Sequence, residues 1–152
     1  MSGRSTTFIL AIGIVLCALP AVAKERIDGP LAAEVLRAVD GDTLEVKVQI
    51  WLGQELTTSV RIRGIDAPEM KGRCPHEKEM ARAAAAQLAQ VAAGKVRLSN
   101  VEADKYGGRV LADVETDKGA GLTRLMIASG LVRAYAGGTR EPWCGLANRT
   151  GN

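Results

Sequence analysis

Apolar and polar side chains alternate along two neighbouring segments in the first half of the chain. Residues 44–50 place Leu, Val, Val and Ile at every second position, and residues 56–62 do the same with Leu, Thr, Val and Ile. A period of two is typical of a β-strand that buries one face, and Gly53 between the segments favours a turn. The pattern predicts a hairpin, preceded by a further strand over residues 34–39.

An arginine lies within the second strand of this predicted hairpin. Arg61 stands between Val60 and Ile62, so the alternation places its side chain on the opposite, polar face of the strand. We therefore expect the Arg61 side chain to leave the outer surface of the sheet and to be exposed.

Two segments have the composition of helices. Residues 75–93 begin with Pro75, are rich in alanine and end before Gly94. Proline suits a first helical turn and glycine suits a helix end, so this is the longer predicted helix. A shorter helix is expected over residues 122–129. The longer helix carries an apolar stripe at helical spacing, made of Met80, Ala84, Leu88 and Val91.

Three short extended segments complete the pattern, at residues 96–101, 109–114 and 131–135. A hairpin-rich sheet of about five short strands, with a long helix after the third, predicts a mainly β fold with helices (α+β), specifically a small five-stranded OB-type barrel. An SH3-like barrel or an α+β sandwich would produce a similar pattern, and both remain open at this point.

The first residues have the pattern of a secretory signal. An apolar run from Phe8 to Leu19 is followed by Pro20 and then by small residues, ending at Ala23. This arrangement predicts cleavage before Lys24 and export to the periplasm or the extracellular space. The alternative is a permanent membrane anchor, but the apolar run is shorter than the ~20 residues that cross a bilayer. We expect no stable membrane association after cleavage.

Residues 24–152 then form one domain with a single core. The formal net charge of the whole chain is +3, which is only mildly basic. Overall charge therefore does not by itself indicate a nucleic-acid-binding protein, and arginines at particular positions would have to supply that affinity.

Two cysteines, Cys74 and Cys144, remain in the predicted mature chain. An even number of cysteines in an exported protein favours a disulfide. The alternative is two unpaired thiols, since sequence alone does not show that the two side chains are close in space. We predict that the bond forms.

Carboxylates are concentrated in two short turns that adjoin predicted strands. Asp40 and Asp42 lie in the first turn, and Asp66 and Glu69 lie in the second. Either turn alone is ordinary turn chemistry. Both adjoin the same small sheet, however, and four carboxylates brought together repel one another unless a cation lies among them.

Two arginines accompany these acids. Arg61 lies between the two turns, and Arg109 ends the downstream motif Asp104-Lys105-Tyr106-Gly107-Gly108-Arg109. Carboxylates for a hard cation, together with arginines for a phosphate, are typical of a metal-dependent phosphodiesterase.

Three motifs in order now carry a specific resemblance. Residues 39–44 (VDGDTL), 61–69 (RIRGIDAPE) and 104–109 (DKYGGR) are similar to successive motifs of the thermonuclease family, which is the family of staphylococcal (micrococcal) nuclease. The resemblance implies an OB-fold barrel and a calcium-dependent nuclease that cuts phosphodiester bonds in DNA and RNA.

The resemblance also implies the metal ligands. Asp42 and Asp66 would bind Ca²⁺ directly, the backbone carbonyl of Ala67 would complete the protein ligands, and Asp40 would support the ion without touching it. Calcium prefers several hard oxygen ligands, which agrees with this set. The absence of histidine and cysteine from the motifs argues against zinc.

Catalytic roles follow from the same motifs. Glu69 would be the general base acting on the attacking water, while Arg61 and Arg109 would hold the scissile phosphate. The chain has Gly107-Gly108 where the family usually has one glycine before the arginine, and this extra residue leaves the placement of Arg109 open. Lys105, Tyr106 and Tyr135 are the expected substrate-binding residues.

Nucleic acid is therefore the expected partner, as single-stranded or frayed DNA or as RNA, bound by a monomer. A protein of a different class remains possible, namely a nucleic-acid-binding OB module without catalysis. Such a module would be expected to lose the acids or the arginines first. Since all of them are present, the sequence favours the enzyme.

Overall fold

A computed structural model describes residues 25–145. The predicted signal segment and its cleavage site lie outside these residues. Ten elements follow one another along the described chain. The strands are β1 (Arg26–Ile27), β2 (Leu31–Ala38), β3 (Thr43–Trp51), β4 (Gln54–Ile62), β5 (Ile65–Asp66), β6 (Lys95–Ala103), β7 (Arg109–Thr116) and β8 (Arg133–Ala134), and the helices are α1 (Pro75–Val91) and α2 (Leu122–Ala128).

The five long strands close into a barrel. The main sheet has the order β1-β6-β2-β3-β4-β7, and β6 also pairs with β7, which closes the sheet on itself. The β4–β7 pairing is parallel, and the other pairings of the long strands are antiparallel. Helix α1 follows the third long strand. The predicted five-stranded OB-type barrel with a long inserted helix is confirmed, and the two alternative architectures are excluded.

The predicted hairpin is the longest antiparallel pairing of the barrel. Leu44 pairs with Val60 and Thr43 with Arg61, so the start of β3 and the end of β4 lie side by side. Gly53 closes the turn with φ +73°, a backbone conformation that residues with a Cβ rarely adopt. The strands are longer than the apolar alternation alone indicated, because ladder hydrogen bonds continue into the polar residues next to the turn.

Helix α1 covers one end of the barrel. Of its predicted apolar stripe, Ala84 and Leu88 are fully buried, whereas Met80 and Val91 are half-buried. A Cβ added to Gly41 would lie 2.5 Å from the Cβ of Ala84. Since that distance is shorter than real contacts allow, glycine in the first acidic turn lets α1 pack directly against it. The helix thereby supports the turn that carries Asp40 and Asp42.

A second, two-stranded sheet connects the second acidic turn to the last part of the described chain. Ile65 pairs with Ala134, and Asp66 pairs with Arg133. The residues that follow β8 are therefore directed towards the acids.

Neither helix within residues 25–145 is long and apolar enough to cross a membrane.

Candidate functional site

The first acidic turn orients Asp42 through short-range hydrogen bonds. The Asp42 backbone N–H donates to Oδ1 of Asp40 at 3.0 Å, an arrangement typical of an aspartate at the start of a turn. The Thr43 hydroxyl donates to Oδ1 of Asp42 at 2.9 Å. Asp42 is only 3% exposed. Its carboxylate is therefore buried, and these hydrogen bonds hold it in place at the start of β3.

The second acidic turn packs directly on the first. The Ala67 backbone N–H donates to Oδ2 of Asp42 at 3.2 Å, and the Ile62 N–H donates to the Asp42 carbonyl at 2.8 Å. Asp66 is also 3% exposed. The structure thus brings Asp42, Asp66 and Ala67 together, three of the four residues that the sequence assigned to the metal.

Arg61 lies between these carboxylates, and its predicted exposure is wrong. Arg61 is 7% exposed. Its Nη1 lies 2.8 Å from Oδ2 of Asp42, its Nη2 lies 3.9 Å from Oδ1 of Asp66, and Nη2 donates to the Ile65 carbonyl at 3.2 Å. The alternation correctly separated Arg61 from the hydrophobic core, but the acidic turns cover that face of the strand. Two buried carboxylates retain the guanidinium there because each charge compensates for the other's loss of water.

The protonation of Asp42 reflects this burial. Burial, and after it the neighbouring Asp40 carboxylate, raises the pKa of Asp42 to about 6, although the Arg61 guanidinium acts in the opposite direction. Ionisation of the Asp42 carboxyl is therefore unfavourable when no cation is bound. A cation bound beside Asp42 would reverse that cost.

The third motif places Arg109 on the neighbouring strand. Because β4 and β7 are parallel, Arg109 pairs with Ser59, and Leu111 pairs with Arg61. The extra glycine is accommodated in the loop, where Gly108 has φ +85°. Arg109 therefore begins the strand adjacent to that of Arg61.

The Arg109 guanidinium is partly covered by residues of its own motif. Its Nε donates to Oδ2 of Asp104, its side chain is 23% exposed, and its Cζ lies 5.2 Å from the centre of the Tyr106 ring. Burial raises the pKa of Asp104, but the hydrogen bond and charge of Arg109 outweigh burial, and the net shift is downward. Arg109 is therefore paired with Asp104, the acid of its own motif.

A cleft of about 760 Å³ opens beside Arg61. Of the predicted substrate-binding residues, Lys105 and Tyr135 line this cleft, and the Tyr135 hydroxyl donates to the Gly138 carbonyl at 2.7 Å. Tyr106 is outside the lining and is 55% exposed, with the Lys105 ammonium 4.9 Å from its ring centre. The cleft has the basic and aromatic groups that suit a nucleotide.

Glu69 is the most exposed of the predicted catalytic residues, with 55% of its side chain accessible. Its backbone N–H donates to Oε1 of Glu77 at 3.4 Å, and the Arg73 N–H donates to Oε2 of the same carboxylate at 3.0 Å. Sequence reasoning missed Glu77 as a residue of the site. Its position three residues after the helix N-cap, where a glutamate can reach back to preceding backbone N–H groups, was the available signal.

The segment of residues 139–145, here named the C-terminal strap, was predicted only in part. The predicted Cys74–Cys144 disulfide is present, with the two Cα atoms 6.0 Å apart, whereas the other contacts of the strap were missed by sequence reasoning. The Trp143 indole N–H donates to Oδ2 of Asp66 at 3.3 Å, and the Arg133 guanidinium lies 3.5 Å from the centre of the Trp143 ring. These contacts fold the strap over the second acidic turn.

The strap carries Arg140 into the acid site. Its Nε lies 3.0 Å from Oδ1 of Asp66, and its Nη1 donates to Oε1 of Glu69. Arg140 is therefore paired with both a predicted metal ligand and the predicted base. No motif in the sequence identified it, because it stands 71 residues after Glu69.

The donor chemistry of the site fits calcium. Asp42, Asp66 and the Ala67 carbonyl offer only oxygen. Asp66 Oδ1 is buried and accepts no hydrogen bond from residues 25–145, although the Arg140 and Arg61 guanidinium groups lie 3.0 and 3.9 Å from it. A buried oxygen whose hydrogen-bonding capacity is unused is a candidate metal ligand. Elsewhere in the same residues, ligand atoms of Cys74, Glu77 and Cys144 lie within 4.8 Å of one another, but the disulfide makes its two sulfurs unsuitable as ligands.

Comparison with known families agrees with the motifs. A family model described as "Staphylococcal nuclease homologue" matches residues 59–142, which includes Arg61, Asp66, Glu69 and Arg109 as well as the start of the strap. No curated protein matches the chain.

Proposed function

The chain belongs to the staphylococcal nuclease homologue family, and from that premise we propose that it is a calcium-dependent nuclease that hydrolyses phosphodiester bonds of nucleic acid. The observation that carries this proposal is the buried group in which Arg61 lies between Asp42 and Asp66. The two buried carboxylates offer oxygen ligands for a hard cation. Arg61, which also lines the cleft, offers a guanidinium for the phosphate.

Asp42, Asp66 and the Ala67 carbonyl would hold the calcium ion, with Asp40 orienting Asp42 through its backbone. A bound calcium ion supplies positive charge to the phosphate and to an attacking water. The burial of Asp42 and Asp66 supports this role, because side chains held rigidly beside strand ends need not change their own positions when an ion binds.

Glu69 is the proposed general base. Its carboxylate lies on a turn whose backbone is held by Glu77, and its exposure gives water access to it. Removing a proton from the attacking water in this way contributes typically 10²–10⁴-fold to a rate. Arg140 must first release the carboxylate, since an ion-paired base is a weaker proton acceptor.

Arg61 and Arg109 are the proposed phosphate ligands. Each guanidinium offers parallel N–H donors that match two phosphate oxygens, and adjacent strands carry both residues. Arg61 would approach the phosphate from beside the metal ligands, while Arg109 would exchange Asp104 for the phosphate. The more negative charge that develops on the phosphate in the transition state favours that exchange.

Nucleic acid is the proposed substrate because of the adjoining cleft. Lys105 and Tyr135 line it together with Arg61, so a base could stack on the tyrosine while the backbone phosphate meets the arginine. Because a base must be unpaired to stack on an aromatic side chain, we propose single-stranded or frayed DNA, or RNA, as substrate for a monomeric enzyme.

Export is part of the proposal. The signal-like residues 1–23 support it, and so does the Cys74–Cys144 disulfide, since such bonds persist in oxidising compartments. N-terminal sequencing of the protein recovered from the periplasm or medium should give Lys24 as the first residue. Recovery of uncleaved protein in the membrane fraction would contradict this part of the proposal.

A nucleic-acid-binding module without catalysis is the second candidate. One observation favours it: Arg140 pairs with Glu69 and Asp66, and Arg109 pairs with Asp104, so two catalytic groups and a ligand are already neutralised. On that interpretation the ion pairs are permanent, and the cleft binds nucleic acid without cleaving it.

A cleavage assay separates the two candidates. Denatured DNA and RNA are incubated with the mature protein in calcium, in excess chelator, and in chelator followed by calcium. We expect cleavage only when calcium is present, with recovery after it is restored. Binding without cleavage in calcium would support the module, and full cleavage in excess chelator would exclude the metal assignment.

A further inference from the structure

The C-terminal strap has three anchors near the acid site. The disulfide attaches Cys144 to the start of α1, the Trp143 indole N–H reaches Asp66, and the Arg133 guanidinium stacks on the Trp143 ring. Trp143 is 7% exposed, so the end of the strap is packed into the protein. Arg140, three residues earlier in the chain, is held over the acids by this packing.

Arg140 is paired with two carboxylates that the proposed reaction needs without an arginine partner, one as a metal ligand and one as the base. Its Nε lies 3.0 Å from Oδ1 of Asp66, and its Nη1 donates to Oε1 of Glu69. Oδ1 of Asp66 is the buried oxygen without a hydrogen bond from the described residues. The Arg140 guanidinium must move away before this oxygen of Asp66 can bind a metal ion.

Resting on the proposed function, we propose that Arg140 is a built-in competitor of calcium. In the metal-free protein it neutralises Asp66 and Glu69, and it lowers the calcium affinity of the site by the free energy needed to displace it. The disulfide holds the strap and keeps Arg140 at the acids. Reducing the bond therefore raises calcium affinity.

The two arginines of the site differ in a way that supports this assignment. The Arg61 side chain is 9% exposed and is bound by Asp42 and the Ile65 carbonyl, so its removal would leave buried charge. The Arg140 side chain is 34% exposed. It can turn into water without losing its hydration, which is the property a displaceable counter-ion requires.

Calorimetric titration of calcium into the metal-free mature protein, without nucleic acid, tests the proposal. We expect R140A to bind calcium at least about tenfold more tightly than wild type, which corresponds to about 1.4 kcal/mol. R140K should bind with an intermediate affinity because a lysine retains the charge but not the two-sided contact. R73A is the matched control. Arg73 lines the pocket that is also lined by Asp66, Glu69 and Arg140 but forms no ion pair within residues 25–145, and its variant should stay within about twofold of wild type.

A second set of variants tests the tether. The double variant C74S/C144S, shown to be folded by circular dichroism, should also bind calcium more tightly. Adding R140A to it should produce no further gain, because both changes remove the same competition.

The outcomes separate the inference from the proposed function. If wild-type protein binds no calcium under any condition, the proposed function fails and the inference with it. If wild type binds calcium and R140A binds equally or more weakly, the inference alone is overturned. An equal gain for R140A and R73A would also overturn it, since the gain would then come from the lower positive charge of the pocket that both residues line.

Discussion

The two halves of the acid site are held in different ways. The barrel half contains Asp42, Arg61 and Asp66, all nearly inaccessible to water, and hydrogen bonds with the backbone of the second acidic turn support it. The strap half contains Glu69 and Arg140, whose side chains are 55% and 34% exposed. A disulfide and a tryptophan position that half.

The difference shows which groups of the acid site need fixed positions and which need access to water. Groups that hold charge benefit from burial, since a low local dielectric strengthens every interaction with it and fixed positions need no reorganisation. A group that exchanges a proton with water must remain accessible. In this protein the charge-holding groups lie on the barrel, and the proton-exchanging group lies at its edge under a covalently attached segment.

The largest effect should come from breaking the barrel half. Arg61→Ala removes the cation between two buried carboxylates, so we expect both lost catalysis and lost stability. An arginine on a transferring phosphate contributes about 10³–10⁵ in rate, and leaving buried charge unpaired costs about 3–5 kcal/mol. Steady-state kinetics and chemical denaturation measure the two losses. Arg61→Lys should restore more stability than activity, and an unchanged denaturation midpoint for Arg61→Ala would show that Asp42 and Asp66 do not depend on it.

The matching change in the strap half should affect rate alone. Glu69→Gln is expected to lower kcat by about 10²–10⁴ while leaving the thermal midpoint and nucleotide affinity nearly unchanged, because the side chain is exposed and acts on water. Glu79→Gln, an exposed glutamate on α1, is the control and should keep full activity. A wild-type rate for Glu69→Gln would remove Glu69 from the mechanism.

Removing the Cys74–Cys144 disulfide should lower the stability of the protein more than its catalytic rate. The Cys74–Cys144 bond closes a loop with a sequence separation of 70, for which constraint of the unfolded chain predicts about 2–4 kcal/mol. Denaturation with and without a reductant measures this for the wild type, and the C74S/C144S variant should be insensitive to the reductant. Equal stability in both conditions would indicate that the strap contributes nothing to the folded state.

The smallest expected effect is a pH dependence confined to the metal-free barrel half. The pKa of Asp42 is raised from 3.8 to about 6, so the folded state binds this proton more tightly than the unfolded state. Its contribution to stability is therefore complete below about pH 4 and is lost as the pH rises through about 6, with a magnitude on the order of 2 kcal/mol. Thermal melts of metal-free protein between pH 4 and 7 should show it, and Asp42→Asn should remove this part of the slope. A slope unchanged by that substitution would assign the titration to another group.

Much of the barrel half could be predicted from sequence. The alternation in β3 and β4 located the hairpin, and the acidic turns at its ends located Asp42 and Asp66, because strand ends and turns depend on residues close in the chain. The exposure of Arg61 was predicted wrongly for a related reason. Alternation identifies the two faces of a strand but does not reveal what covers the polar one.

The strap half could not be predicted in the same way. Arg140 lies 71 residues from Glu69, and Trp143 lies 77 residues from Asp66. Neither pairing leaves a periodic or spacing signal. Cys74 and Cys144 were the one visible sign, since two cysteines in an exported chain favour a bond, yet the bond alone does not indicate that an arginine four residues earlier reaches the acids.

The sequence by itself determined the five long strands, the two helices and the residues of the acidic turns, because backbone preferences and hydrophobic periodicity act over a few residues. Only the tertiary structure decided that Arg61 is buried, that Asp104 pairs with Arg109 and that Arg140 lies on Asp66 and Glu69. Those contacts depend on which charged groups meet when distant segments pack, and the free energy of each depends on the water that both partners lose together.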